Sequence, residues 1–537
     1  MTRNELSGRA RGRLATRFWI VWITVTTATV LTAGSGCTSL RRWAHQGFRV
    51  GPDYARPPAP FADEWIDYQN ADVDTSSEIH AAWWTVLGDA KLNELIDRAS
   101  RQNLSLQAAG MRILEARARL AVARGNLFPQ LQEAFGGFQR FNQSSTTANA
   151  LPVLNFDNWD LGLSAAWELD FWGRFRRAIE TQEAILDAEI ENYDDVLVLL
   201  QAEVATAYVQ YRTFQERLKV ARYNVELQQR TVEIVEVQFK NGRVTELDLA
   251  QAKENLAATR SVIPEYEARI RQTANAICVL LGEPPRDLSA ELGEGAIPEV
   301  PHEILVGIPA DLLRRRPDVR RAERRAAAQS AVIGIAESEF YPHIAITGSV
   351  GLASADLSDL FRSDSFTGAI GPSFQWNILN YGRILNNVRA EEAGFYQAVY
   401  DYQNTVLTAA QEVEDGIVAY LKTREQVEAV DEAAAQALRA VEVATTQYRR
   451  GRINFQPVVY MQQILAQRQD QLAATRGSVV LSLINVYKAL GGGWEARLQG
   501  GSAAAVPQPG PEPQPQPPAQ PGRQVGAPRP QDTEQLP

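Results

Sequence analysis

Between Asp89 and Asn126 apolar residues recur at i, i+3 and i+4 with small alanines between them, the repeat of a helix that buries one face. Pro129 follows the end of that run, and the period then changes. Gln130–Asn142 sets Phe135, Phe138 and Phe141 among polar residues, Ser144–Asn155 is a polar loop, and in Asn158–Phe171 the positions Leu161, Leu163, Ala165, Trp167 and Leu169 alternate with others. Period two with aromatic ends predicts a hairpin of long strands. From Gly173 the helical period returns and runs to about Lys240, roughly 100 Å of helix at 1.5 Å per residue. No ordinary globular domain needs such a rod, and its seam (Val204, Tyr208, Tyr211, Leu218, Val225) is coiled-coil-like. A turn at Gly242-Arg243 leads into Thr245–Leu281, where Pro264 predicts a kink or a break.

The plan then repeats. Asp287–Ile308 reads as a linker and Ala310–Glu339 as a helix. Ile344–Leu352 and Thr367–Ile378 read as strands around the polar loop Ser354–Asp364. A second long helix runs from Gly382-Arg383 to Arg449, turns at Gly451-Arg452 and returns as Ile453–Leu490. At an offset of 209, Trp167 meets Trp376, Gly173-Arg174 meets Gly382-Arg383, Tyr211 meets Tyr420, and Gly242 meets Gly451. Upstream the offset is 213, aligning Pro129 with Pro342, and the difference falls in the loop between strands, where length changes cost least. Constant register along the rods carries weight, because an insertion would rotate the buried seam. The expected fold is therefore an internally duplicated α+β membrane protein with long α-helical hairpins and four β-strands.

Four strands cannot close a membrane barrel, since about eight is the minimum, and an open edge in lipid leaves backbone groups unpaired. Beyond residue 31 no apolar run reaches 18 residues, so a membrane-held mature chain would use strands or a lipid rather than helices. If these strands cross a membrane, several copies must share one barrel, and the rods could line up as a tunnel beyond it.

Composition narrows the function more than the fold. A net charge of −10 argues against a nucleic-acid partner. Four His and two Cys leave little material for metal clusters or a disulfide framework, and Cys278 reads as a small core residue. Phosphate loops and nucleophile elbows are missing from the sequence, so the chain reads as a non-enzyme whose transport energy comes from another protein. The N-terminus has the form of an export signal: Arg3, Arg9, Arg11, Arg13 and Arg17, an apolar stretch Phe18–Leu31, then Ala33-Gly34-Ser35-Gly36-Cys37. Small residues before a cysteine resemble a bacterial lipoprotein signal, in which Cys37 takes the lipid as the sole covalent group; Gly34 stands where that pattern usually has Leu. An ordinary signal with a stray cysteine is one alternative, and a retained single-span anchor is another, disfavoured by the shortness of the apolar run. The expected organisation is a signal (1–36), an extended segment anchored by Trp65, Trp83 and Trp84 (37–86), a first repeat (87–286, hairpin 128–171), the linker (287–308), a second repeat (309–495, hairpin 342–380) and a Pro-rich tail (496–537) that is either inert or wall-binding.

Particular motifs identify a resemblance. They are Val50-Gly51-Pro52-Asp53-Tyr54, Gly307 through Val319 with Arg314-Arg315-Arg316-Pro317-Asp318, Phe340-Tyr341-Pro342, Trp376-Asn377-Ile378 with Gly382-Arg383, and Glu412-Val413-Glu414-Asp415. Together, over about residues 48–495, they resemble the outer membrane efflux protein family, the channel component of tripartite drug and metal exporters, in its nodulation-protein-like lipoprotein subgroup. The resemblance implies a homotrimer with a 12-stranded β-barrel, a periplasmic α-barrel, a lipid-anchored outer-membrane location, and two partners, a periplasmic adaptor and an inner-membrane pump. A protein-secretion duct and a non-conducting envelope lipoprotein remain alternatives.

Under that resemblance the two turns become a periplasmic gate, made of Gly242, Arg243, Glu246, Asp248, Gly451, Arg452, Pro457 and Tyr460. The glycines are expected at positive φ, and the arginines either cap helix ends or meet the adaptor. Relatives carry acids near the second tip; here Pro457 and Tyr460 stand six and nine residues after Gly451, which suggests a more apolar constriction. Asp248 and Glu246 either supply charge from the first tip or belong to a solvated helix face. In Arg314-Arg315-Arg316-Pro317-Asp318, Pro317 suits a first helical position, Asp318 the positive helix end, and the arginines are expected to pair with acids such as Glu323.

Overall fold

The computed structural model describes residues 40–75, 81–142, 155–301 and 304–498, with Ser144 and Thr146 between strands. The export signal, Cys37 and residues 499–537 of the Pro-rich tail lie outside the described residues. After α1 (Leu40–His45) the chain runs irregularly to a two-residue strand β1 (Val73–Asp74). The first repeat comprises α2 (Ala90–Gln102), α3 (Leu104–Gly125), β2 (Leu131–Asn142), β3 (Asn155–Leu169), α4 (Arg174–Lys240) and α5 (Glu246–Leu280). A connector with α6 (Ser289–Leu292) and β4 (Ile304–Leu305) follows. The second repeat comprises α7 (Leu312–Arg315), α8 (Pro317–Ser338), β5 (His343–Ser354), β6 (Phe366–Gln375), α9 (Arg383–Arg449) and α10 (Gln456–Ala489). The two rods α4 and α9 are each 67 residues long, about 100 Å.

Four local expectations need correcting. The helix expected over Asp89–Asn126 is two helices: Asn103 leaves the helical region (φ −60°, ψ 126°), its backbone N–H donates to Ala99 O and its side-chain Oδ1 accepts from the Leu106 N–H, so one residue ends α2 and starts α3. The run expected over Ala310–Glu339 is likewise divided, at Arg316, because the residue before Pro317 is held extended. Pro264 does not interrupt α5. The connector 287–308 is more than a linker: β4 pairs in parallel with β1 (Val73↔Ile304, Asp74↔Leu305), and Trp65 Nε1 donates to Gly307 O at 2.9 Å. Those contacts sew the N-terminal segment to the middle of the chain.

That segment also explains a motif. Arg177, fully buried on α4, donates to Val50 O, Gly51 O and Asp53, and Tyr54 Oη donates to Glu323 at 2.6 Å. Gly51 (φ +86°) crosses α8 so closely that a Cβ there would lie 2.3 Å from the Gly334 Cα. The largest core cluster gathers α2, α4, α9, α10 and the N-terminal tryptophans; Trp83 stacks on Tyr487 with ring centroids 5.6 Å apart. At its rim Arg316 pairs with Asp318 (2.7 Å) and Glu412 (2.7 Å) and donates to Ala489 O. Glu323 is taken instead by Arg324 and Tyr54, so the expected Arg316–Glu323 class of pairing falls to other acids. Pro317 and Asp318 do open α8.

All four long strands form one antiparallel sheet in the order β2-β3-β5-β6. The register sorts its faces. Phe138, Trp159, Leu161, Leu163, Leu352, Val350, Ile346, Phe366, Ile370 and Phe374 share one face. Glu133, Asn158, Asp160, Ser164, Ser349, Thr347, Thr367 and Ser373 share the other, which is mainly polar but carries Phe135 and the stacked Phe141–Phe156 pair near the loop end of the first hairpin. Ile370 and Phe374 are 84% and 75% exposed in the single chain, an apolar surface that suits lipid and neighbouring copies rather than water. The outer edges, β2 and β6, have no further strand partner among the described residues. Three such sheets closing edge to edge give a 12-stranded barrel, apolar outside and polar inside. Among the described residues no helix is long and apolar enough to cross a membrane.

Candidate functional site

At the far ends of α4 and α9 the helices stop in the same way. Gly242 (φ +67°) and Gly451 (φ +68°) take the left-handed conformation. Gly242 N–H donates to Phe239 O and Arg243 N–H to Gln238 O; Gly451 N–H donates to Tyr448 O and Arg452 N–H to Gln447 O. This paired closure consumes the last carbonyls of each rod. The arginines close the turns through their backbone N–H groups, and both side chains are exposed.

The next helices start differently. α5 opens with a capping box: Thr245 Oγ1 accepts from the Asp248 N–H, and the Asp248 carboxylate accepts from Thr245 N–H (2.9 Å) and Thr245 Oγ1 (2.8 Å). Asp248 is therefore committed to its own helix start, where a negative charge is also favoured by the helix dipole. Glu246, beside it in the first turn, is exposed. α10 has no side-chain cap; Pro457 lies in its first turn, where no N–H is required. Tyr460 is 53% exposed.

The two hairpin ends pack on each other. Val232, Val235, Ala252 and Leu256 of the first share a cluster with Tyr448, Phe455, Val458 and Val459 of the second, and the Tyr448 and Phe455 rings lie 5.3 Å apart. Burial, and then the nearby Asp248 charge, push the Tyr448 pKa up. The eight residues expected at the gate thus all stand on this one end.

Above the apolar end lies a buried polar layer that the sequence reading missed. Gln462 Nε2 donates to Thr231 Oγ1 at 2.7 Å, Asn224 Nδ2 donates to Gln469 Oε1 at 2.8 Å, and Asn255 lies against Gln462. Gln228, 1% exposed, has neither amide atom bonded among the described residues. A clamp caps the layer: Arg217 grips Asp470 with two bonds (2.8 and 2.7 Å), and Tyr266 Oη donates to the same carboxylate at 2.7 Å. Burial, reinforced by Asp470, pushes the Tyr266 pKa up to about 12. A cavity of about 290 Å³ lies between Asn224, Asn255, Tyr266 and Asp470. Asn224, Gln228 and Thr231 follow helical spacing on α4, so a polar stripe was visible in the sequence; nothing local distinguished it from a solvated face. Arg217 and Asp470 are 253 residues apart, and no periodicity links them.

These ends belong to one end of a tube whose other end is the membrane sheet, and similar proteins share the whole plan. The profile of the family described as outer membrane efflux protein matches residues 95–283 and 308–492. The nodulation protein T of Rhizobium leguminosarum bv. viciae is 30% identical over 458 residues, covering 83% of this chain and 91% of that protein. The pyoverdine export outer membrane protein OpmQ of Pseudomonas putida is 30% identical over 429 residues, covering 77% and 88%. The solved outer-membrane channel OprN superposes with a TM-score of 0.78 at 29% identity, covering 83% of this chain and 99% of that one.

Proposed function

Since the chain belongs to the outer membrane efflux protein family, we propose that it is a passive exit duct for small molecules, gated at the ring of hairpin ends. As a member it is the outer-membrane channel component of an efflux system, a homotrimer that works with a periplasmic adaptor and an inner-membrane pump. The observation that carries the duct reading is the sheet: apolar on one face, polar on the other, open at both edges, and continuous with rods about 100 Å long. No chemistry is asked of the chain. Solute handed over at the hairpin ends would diffuse through it, and small-molecule cargo is carried over from the pyoverdine-export relative.

The gate comprises Gly242, Arg243, Glu246, Asp248, Gly451, Arg452, Pro457 and Tyr460, with Asp248 and Pro457 shaping the helix starts rather than lining a charged ring. Opening separates the first hairpin from the second, a two-state change biased by the partner that docks there. Purified trimer in a planar bilayer should conduct in discrete steps. Silent bilayers containing intact trimers would refute the duct.

Cys37 carries the N-terminal lipid in this reading. Support comes from α1, whose Trp43 ring lies 5.3 Å from Phe171 and 5.4 Å from Trp172, at the foot of β3. An aromatic group at that level suits the membrane interface, and Cys37 precedes it by six residues. Mass spectrometry of the mature N-terminal peptide should find acylated Cys37; an unmodified thiol refutes the anchor.

A further inference from the structure

The chain is acidic, with a net charge of −10, yet its hairpin ends are not. Residues 238–248 and 447–457 contain Lys240, Arg243, Arg449, Arg450 and Arg452 against only Glu246 and Asp248. All five cations are exposed. The four arginines make no side-chain ion pair among the described residues. Farther along the same hairpins the pattern reverses, and cations are matched: Lys253 pairs with Glu236 at 2.9 Å and Arg439 with Glu442 at 3.1 Å. Asp248 is turned onto its own helix start, which leaves Glu246 as the sole acid there outside a cap.

Five cations less two acids leave three positive charges per chain, and three chains put nine around one ring. A ring of like charge at a narrow mouth raises the local concentration of counter-ions whether or not each side chain points into the lumen. The relevant range is the screening length, about 10 Å at 0.1 M salt and about 3 Å at 1 M. Nine charges at about 10–15 Å, screened at 0.1 M, favour a monovalent anion over neutrality by roughly three- to tenfold.

We infer that the hairpin ends form an anion-concentrating mouth, and that the cargo class this duct accepts most readily is anionic solutes. The inference rests on the duct reading, with the hairpin ends as its entrance.

The test uses purified full-length trimer in planar bilayers under a KCl gradient, read as the reversal potential. At about 0.1 M mean salt the wild type should prefer chloride to potassium. The preference should shrink towards unity at 1 M. K240Q/R449Q/R450Q, all outside the gate residues, should lose most of it at low salt while keeping single-channel steps and trimer migration. These side chains are exposed, and the turn is held by backbone bonds that glutamine keeps. A potassium-preferring wild type overturns the inference, and so does a triple variant with unchanged preference. Intact trimers that never conduct would instead overturn the duct reading itself.

Discussion

Consider removing the clamp between hairpins with Arg217→Leu. Arg217 on α4 holds Asp470 on α10 through two charge-assisted bonds, and Tyr266 on α5 shares the carboxylate. The side chains are 24% and 31% exposed, between a surface pair and a buried one. Exposed pairs contribute about 0–1 kcal/mol, and breaking a buried pair costs about 3–5 kcal/mol. A bidentate pair in this intermediate setting should therefore contribute about 1–2 kcal/mol to the state in which it forms. If opening separates α4 from α10, losing it raises the open-to-closed ratio by roughly 5- to 30-fold, since about 1.4 kcal/mol is tenfold. Single-channel open probability reads that ratio directly. D470L should give a similar rise. The R217L/D470L double variant should open no more readily than the worse single variant, the signature of one shared interaction. An unchanged open probability in both single variants, with trimers intact, would show that the clamp stays closed during opening and would refute the hinge between these helices.

Other substitutions separate backbone from packing effects. Gly51→Ala should abolish or strongly reduce trimer yield, because the new Cβ would lie 2.3 Å from Gly334 Cα at a positive φ. Gly242→Ala and Gly451→Ala meet nothing within 4 Å and should cost only about 1 kcal/mol each through φ, seen as a small drop in Tm. Acid stability has a definite sign. Burial pushes the pKa values of Glu191, Asp194 and Asp195 up despite their arginine partners, so their contribution grows as pH falls through those raised values. At Asp318 burial is outweighed by Arg316 and the value falls, so its contribution is present above about pH 4 and is lost below it. The Tm of the trimer should hold or rise as pH falls from 7 into the carboxylate range and drop below about 4; a steady decline from neutrality would contradict this. Glu133 and Asp160 lie on the polar face without an ion pair among the described residues, so E133Q/D160N should move the reversal potential further towards chloride.

Periodicity carried the rods, because a seam repeated over 67 residues leaves no alternative to a helix and a change of register would be visible. The four strands were equally legible, although Asn155 begins β3 earlier than its alternation indicated and β6 ends at Gln375, where Trp376 turns back to donate to Phe340 O. Single-residue events were not legible. Asn103 divides a helix with one amide, and nothing in an Ala- and Leu-rich stretch announces that. Nor was the short β1–β4 pairing, whose two strands lie more than 200 residues apart and carry no alternation of their own. At the hairpin ends, the glycine turns were readable from residue type, while the fate of Asp248 was not: a carboxylate three residues after a threonine fits both a capping box and a charged rim, and only the hydrogen bonds to Thr245 decide.

One pairing in the sheet constrains how the molecule can come into being. β3 of the first repeat is bonded along its length to β5 of the second, with Trp167 opposite Ile346. All of α4, α5, the connector, α7 and α8 lie between them in the chain. The central seam of the membrane sheet therefore cannot form until both halves have been made and brought together, a contact of very large sequence separation and correspondingly slow closure. Half a chain can make a hairpin of rods but not half a barrel. Until neighbours arrive, β2 and β6 stay as raw edges. Assembly order is thus written into strand order: rods first, the sheet within each chain next, and the closed wall last, when the third copy supplies the final edge.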